Sequence, residues 1–144
     1  MNPEVESRLI RAARAARRRA YCPYSGFAVG AAVLGDDGRV YAGANVENAS
    51  FGLTVCAERV AVFRAIVAGV RKIQAVAVAA GGSDPPRPCG ACCQVLAEFA
   101  MDLTLPIVLT AHHAPPFRTT LGELFPQPFK FHQLGLLIRG RKNV

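Results

Sequence analysis

The chain has 144 residues, 51% of them apolar and 19% charged, with a formal net charge of +7 at pH 7. That length suits one domain spanning residues 1–144, and the apolar share excludes an intrinsically disordered chain, which needs low hydrophobicity and high charge. Thirteen glycines and ten prolines without a period exclude collagen-like and low-complexity architectures, and no apolar run reaches the roughly 18 residues of a membrane-spanning helix. With no apolar core behind the opening segment, a secretory leader is not expected either. The expectation is a soluble, cytoplasmic protein without a membrane partner.

Residues 4–20 read as a helix, because Leu9, Ala12, Ala13, Ala16 and Ala20 recur at helical spacing among good helix formers. Arg8, Arg11, Arg14, Arg17, Arg18 and Arg19 fill much of the remaining circumference. Such a face is read first as solvated surface, and a nucleic-acid contact is the weaker alternative. Tyr21-Cys22-Pro23-Tyr24-Ser25-Gly26 breaks the pattern. Residues 27–34 and 39–46 are β-rich runs joined by Gly35-Asp36-Asp37-Gly38, a hairpin signal. A polar loop over 48–53 leads to a helix that carries Ala57, Ala61, Ile66 and Ala68 and stops at Gly69, with Thr54 as its expected N-cap. Residues 74–80 form a short continuous apolar run, the mark of a strand buried on both faces. A loop over 81–88, a helix over 89–100 and a strand over 106–111 follow, then at most a helical turn at 121–124. The residues from Pro126 onward carry no clear pattern. Helix and strand alternate after the hairpin, which predicts a mixed sheet sandwiched by helices.

Five cysteines, an odd number, disfavour a disulfide framework and favour metal or catalytic thiols. Cys56 stands at one expected helix start, and Cys89 and Cys92 at the next, within Pro88-Cys89-Gly90-Ala91-Cys92. Residues three apart share a helix side, so both thiols can grip one ion. Helix N-termini stabilise thiolates through free N–H groups and the dipole. Two such helices meeting end-on would set three thiolates around one metal. Structural zinc sites close with four protein ligands, whereas catalytic ones leave a place for water. Glu58, two residues past Cys56, is the natural acid–base partner for that water.

Each piece has a plainer reading: a Cys-x-x-Cys can be a redox pair or half a structural zinc site, and a first-turn glutamate can simply answer the helix dipole. Cys-Ala-Glu followed by Pro-Cys-x-x-Cys is, however, the three-cysteine form of the zinc deaminase signature.

Together with Tyr21-Cys22-Pro23-Tyr24-Ser25, Val29-Gly30-Ala31-Ala32 and Gly43-Ala44-Asn45-Val46-Glu47-Asn48-Ala49-Ser50, these motifs resemble the homotetrameric zinc-dependent cytidine deaminase family over residues 8–130. The resemblance implies a three-layer α/β/α sandwich with a five-stranded mixed sheet. It implies hydrolysis of cytidine and 2′-deoxycytidine to uridine and 2′-deoxyuridine plus ammonia, in pyrimidine salvage. By position, Cys56, Cys89 and Cys92 would hold one Zn²⁺ per subunit and Glu58 would shuttle protons to ring N3 and the departing amine. Asn45 and Glu47 would bind the ribose 3′-hydroxyl, and Phe27 would pack on the pyrimidine. Ala49, Phe51 and Phe129 would complete pockets shared between subunits of a homotetramer. Arg59, one turn from Cys56, would draw charge from its sulfur.

The sequence departs from the family in three places: Cys93 and Phe51 stand where Arg and Tyr are usual, and the ending at 132–144 differs. Were Cys93 a compensating arginine, the zinc–thiolate cluster would be less negative and its water more acidic. Cys22 reads as a buried small hydrophobe, and His112 and His113 lack a carboxylate partner nearby in sequence. Rival readings are deamination of a related antibiotic nucleoside, polynucleotide editing, and a structural zinc module. Asn45-x-Glu47 argues for an ordinary ribose, and the absence of tryptophan argues against stacking on a polynucleotide. Glu58 argues against a purely structural zinc.

Overall fold

Alternation of valine and alanine along one strand sorts the two faces of the molecule. The computed structural model describes residues 1–130. Its elements are α1 (Pro3–Arg17), β1 (Val29–Gly35), β2 (Val40–Ala44), a 3-10 turn at Phe51–Leu53, α2 (Ala57–Val67), β3 (Ile73–Ala80), α3 (Gly90–Phe99), β4 (Pro106–Thr110), β5 (Phe117–Thr120) and α4 (Leu121–Leu124). The strands form one sheet in the order β2-β1-β3-β4-β5, antiparallel throughout except for the parallel pair β3 and β4. β3 lies at its centre. Its Val76 and Val78 face a core shared with α2 and α3, and its Ala75, Ala77 and Ala79 face α1. Small residues on the second face let one helix cover it closely. The expected sandwich of helix, mixed sheet and helices is the fold observed.

Two glycines set how near the helices come. A Cβ on Gly30 of β1 would stand 2.0 Å from the Ala13 carbonyl oxygen of α1. A Cβ on Gly43 of β2 would stand 2.6 Å from the Ala61 backbone nitrogen of α2, on the opposite face. Each helix therefore rests on bare backbone, and α2 is held at a fixed depth over the hairpin. Leu9 and Ala13 of α1 are fully buried, and burying a leucine contributes roughly 1.5–3 kcal/mol.

Four sequence expectations need correction. The first helix ends at Arg17 rather than residue 20, since Tyr21 is drawn into an extended bridge, donating to Asn45 O at 3.0 Å while its own carbonyl accepts from Glu47 N at 2.8 Å. Arg17 does not share the solvated face of Arg8, Arg11, Arg14, Arg18 and Arg19, because its Nε donates to Ala28 O at 3.0 Å. Thr54 does not cap α2. Cys56 occupies the N-cap, with extended φ and ψ of −69° and 154°. β5 had no strand signal of its own, being a short sheet-edge segment paired only with β4.

Candidate active site

The parallel pair decides where chemistry can occur, because ligands in such sheets bind beyond the carboxyl ends of the strands. The chain leaves β3 at Ala80, loops through 81–88 and enters α3 at its N-cap, Cys89. The α2 N-cap, Cys56, arrives at the same place from the hairpin side, steered by paired 2.9 Å hydrogen bonds between Val46 and Val55. Neither cysteine side chain caps its own helix. Both sulfurs stand at helix ends whose N–H groups and dipoles favour negative charge.

Cys92, one turn into α3, completes the group. The three sulfurs lie within 4.8 Å of one another, with Cys56 and Cys89 4.0 Å apart. Sulfurs on a tetrahedral zinc, with bonds of about 2.3 Å, stand about 3.8 Å apart. The donor set therefore fits Zn²⁺ in number, chemistry and spacing. Among the described residues no other histidine, cysteine or carboxylate joins this cluster. Cys93 is 2% exposed in the core beneath α3, with its thiol 3.8 Å from Pro88 O and burial pushing it up to about 11. It packs in the core cluster and is not one of the three clustered thiols. His112 and His113 pack edge-on against each other, exposed and outside the cluster. Cys22 is half-buried rather than buried.

Hydrogen bonds and burial polarise the site. Hydrogen bonding with Cys92, and then with the Arg59 guanidinium, draws the Cys56 thiol down to about 5. Cys92 is pushed up by that same bond and by burial. Arg59 lies 3.5 Å from Cys56 Sγ and donates to Thr54 O at 3.3 Å, so it faces the sulfur as expected. Glu58 is 5% exposed, and burial, aided by the nearby Cys56 charge, raises its carboxyl above the usual range. A carboxyl held so is suited to taking and giving protons near neutral pH.

A cleft of about 230 Å³ joins these groups to the sequence-predicted substrate residues. Cys56, Cys89 and Glu58 line it, as do Phe27, Asn45 and Glu47 with Ser25, Thr54 and Arg87. Asn45 is buried, accepting from Val29 N at 2.8 Å and donating to Phe27 O at 2.8 Å. Glu47 accepts from Tyr24 N at 2.8 Å and Ser25 N at 3.2 Å. Ala49, Phe51 and Phe129 do not line this cleft. Ala49 is exposed, Phe51 rests edge-on against Tyr24, and the Phe129 backbone pairs with the Gln94 side chain. Ser25 and Arg87 are cleft residues that sequence reasoning did not place there. Arg87 sits over the Phe117 ring at 5.5 Å, a contact that exists only because β5 closes the sheet edge.

The comparisons agree with this chemistry. A family model described as "Cytidine and deoxycytidylate deaminase zinc-binding region" matches residues 3–105. A cytidine deaminase of Halalkalibacterium halodurans is 58% identical over 121 residues, covering 84% of this chain and 91% of the relative. One of Sporosarcina psychrophila is 45% identical over 127 residues, covering 88% and 93%. A crystal structure of cytidine deaminase from Burkholderia pseudomallei superposes with a TM-score of 0.81 at 47% identity, covering 90% of this chain and 100% of that one.

Proposed function

The chain belongs to the cytidine deaminase family, and on that premise we propose how its residues divide the work. The reaction is hydrolysis of the C4–amine bond of a cytosine nucleoside, giving the uracil nucleoside and ammonia. The observation that carries it is one buried carboxyl, Glu58, sharing a cleft with Cys56 and Cys89, two of three convergent thiols.

Cys56, Cys89 and Cys92 would hold the zinc, which would supply Lewis acidity to activate water. Glu58 accepts one proton from the attacking water and passes it to ring N3, then takes the second from the hydroxyl now on C4 and gives it to the departing amine. Burial keeps bulk water from competing for those protons. The half-exposed Phe27 ring offers an apolar face to the pyrimidine. Asn45 has one amide N–H left for a sugar hydroxyl after its two backbone bonds. Glu47 offers a carboxylate to the 3′-hydroxyl. Arg59 withdraws charge from the Cys56 sulfur.

The chain acts as a single domain in a cytoplasmic homotetramer that serves pyrimidine salvage, with cytidine and 2′-deoxycytidine as substrates. Two observations support the assembly. Phe51 and Phe129 are 74% and 56% exposed and lie off their own cleft, so a substrate role for them requires a neighbour's cleft. Val46, Phe63 and Val67 line an apolar surface groove of about 650 Å³, the kind of patch that marks an interface between proteins.

Purified zinc-loaded protein should deaminate cytidine and 2′-deoxycytidine, read as the absorbance loss of deamination, and leave CMP and a cytosine-containing oligonucleotide unchanged. Turnover of the oligonucleotide but not the nucleosides would sink the reading. Sedimentation at assay concentration should give a tetramer, and an active monomer would contradict the shared site.

A further inference from the structure

One serine ties together the two ends of the cleft. Ser25 Oγ donates to Glu47 Oε1 and accepts from Phe27 N at 3.0 Å. A hydroxyl has a single proton, and here it goes to Glu47. The other carboxylate oxygen is held separately, by Tyr24 N and Ser25 N. Phe27, whose ring lines the cleft, is thus joined to Glu47 through one side-chain oxygen.

We propose that Ser25 is a positioning residue that couples the sugar-holding carboxylate of Glu47 to the base-packing ring of Phe27. The proposal rests on the substrate roles given above to those two residues. Its physical content is preorganisation: a carboxylate aimed before the sugar arrives loses less freedom on binding. The Ser25 bond, foremost, also holds the Glu47 carboxyl below its usual range, keeping it an acceptor. Gly26, at φ +68°, turns the chain between the two anchored residues, so the Oγ bridge acts across a bend rather than along a rigid strand. Replacing Ser25 with alanine leaves Glu47 Oε2 anchored by the Tyr24 and Ser25 backbone but frees Oε1 and the Phe27 N–H together, so the aim of the carboxylate and the seat of Phe27 loosen at once.

The test uses the full zinc-loaded protein with cytidine and with 3′-deoxycytidine. Wild type should prefer cytidine by roughly ten- to a hundredfold in kcat/KM, the usual reach of a charge-assisted hydrogen bond. Ser25→Ala should raise the cytidine KM about tenfold, leave kcat within about threefold, and shrink the preference to a few-fold. Ser25→Thr, which keeps the hydroxyl, should restore most of both. A discriminating wild type with an Ser25→Ala variant unchanged in KM and preference overturns the coupling alone. A variant that loses kcat but keeps its preference, or that threonine fails to rescue, overturns it too. A wild type that treats the two nucleosides alike overturns the sugar role of Glu47, and the coupling with it. Zinc content and melting temperature should match wild type in both variants, and their loss would mark Ser25 as merely structural.

Discussion

The helix starts of this protein are of two kinds. At α1 the Asn2 side chain accepts from Val5 N at 2.9 Å, and at α4 Thr120 and Glu123 form a reciprocal capping box. At α2 and α3 the N-cap is a cysteine whose side chain makes no capping bond. The first pair satisfies its own free N–H groups; the second leaves that positive end open toward a cleft. A cap closed locally stabilises a helix, whereas a cap left open can stabilise an ion or a substrate charge. The same backbone position thus serves stability in one part of the molecule and chemistry in another.

That contrast can be broken first at its functional end. Cys89→Ala should abolish both bound zinc and turnover, with zinc counted by metal analysis, because two thiols cannot replace a three-sulfur site. Retention of one zinc per chain would show that Cys89 is not a ligand. Next in size, Glu58→Gln should keep the metal and the fold yet lower kcat by about 10²–10⁴-fold or more, since a carboxamide cannot carry the proton. The comparison is made at matched zinc occupancy, and wild-type turnover would remove Glu58 from its role.

The structural end should answer with stability and leave activity alone. Asn2→Ala should cost about 1 kcal/mol, read by denaturant midpoint, with unchanged kcat/KM. A drop in activity without a stability change would erase the distinction drawn here. The smallest effect concerns the ion pair that ties α1 to β5, Arg118 to Glu6, 2.6 Å at its shorter contact. The Arg118 hydrogen bond holds the Glu6 carboxyl below the ordinary glutamate value of 4.5. Folding therefore gains from the charged form above that value and loses the gain as pH falls through the lower folded value. Arg118→Ala should be slightly less stable than wild type at neutral pH, with the gap closing below pH 4.5. A gap that widens on acidification would refute the sign.

Chemistry was the most legible part of this protein. Clustered thiols and a carboxyl at helix starts are specified by residue type and short spacing, so Cys56-Ala57-Glu58 and Cys89-x-x-Cys92 could be read in one dimension. The hairpin and the central strand were equally plain, because Gly35–Gly38 and the run at 74–80 carry local turn chemistry and burial. That Cys93 packs in the core had to await the fold, although its place one residue past Cys92 on a helix already turned it about 100° from that thiol. β5 was hidden for a related reason: Phe117-Arg118-Thr119-Thr120 becomes a strand through pairing with β4, not through a pattern of its own. Asn45 and Glu47 were expected as sugar ligands, but not as the residues that also hold Phe27, Val29 and the turn at Tyr24 and Ser25. Those bonds join residues 16 to 23 positions apart. Sequence alone determined which groups could react, because reactivity belongs to side chains and their immediate neighbours. Only the tertiary structure decided how they are aimed, because aim is set by hydrogen bonds between segments that meet nowhere but in the folded chain.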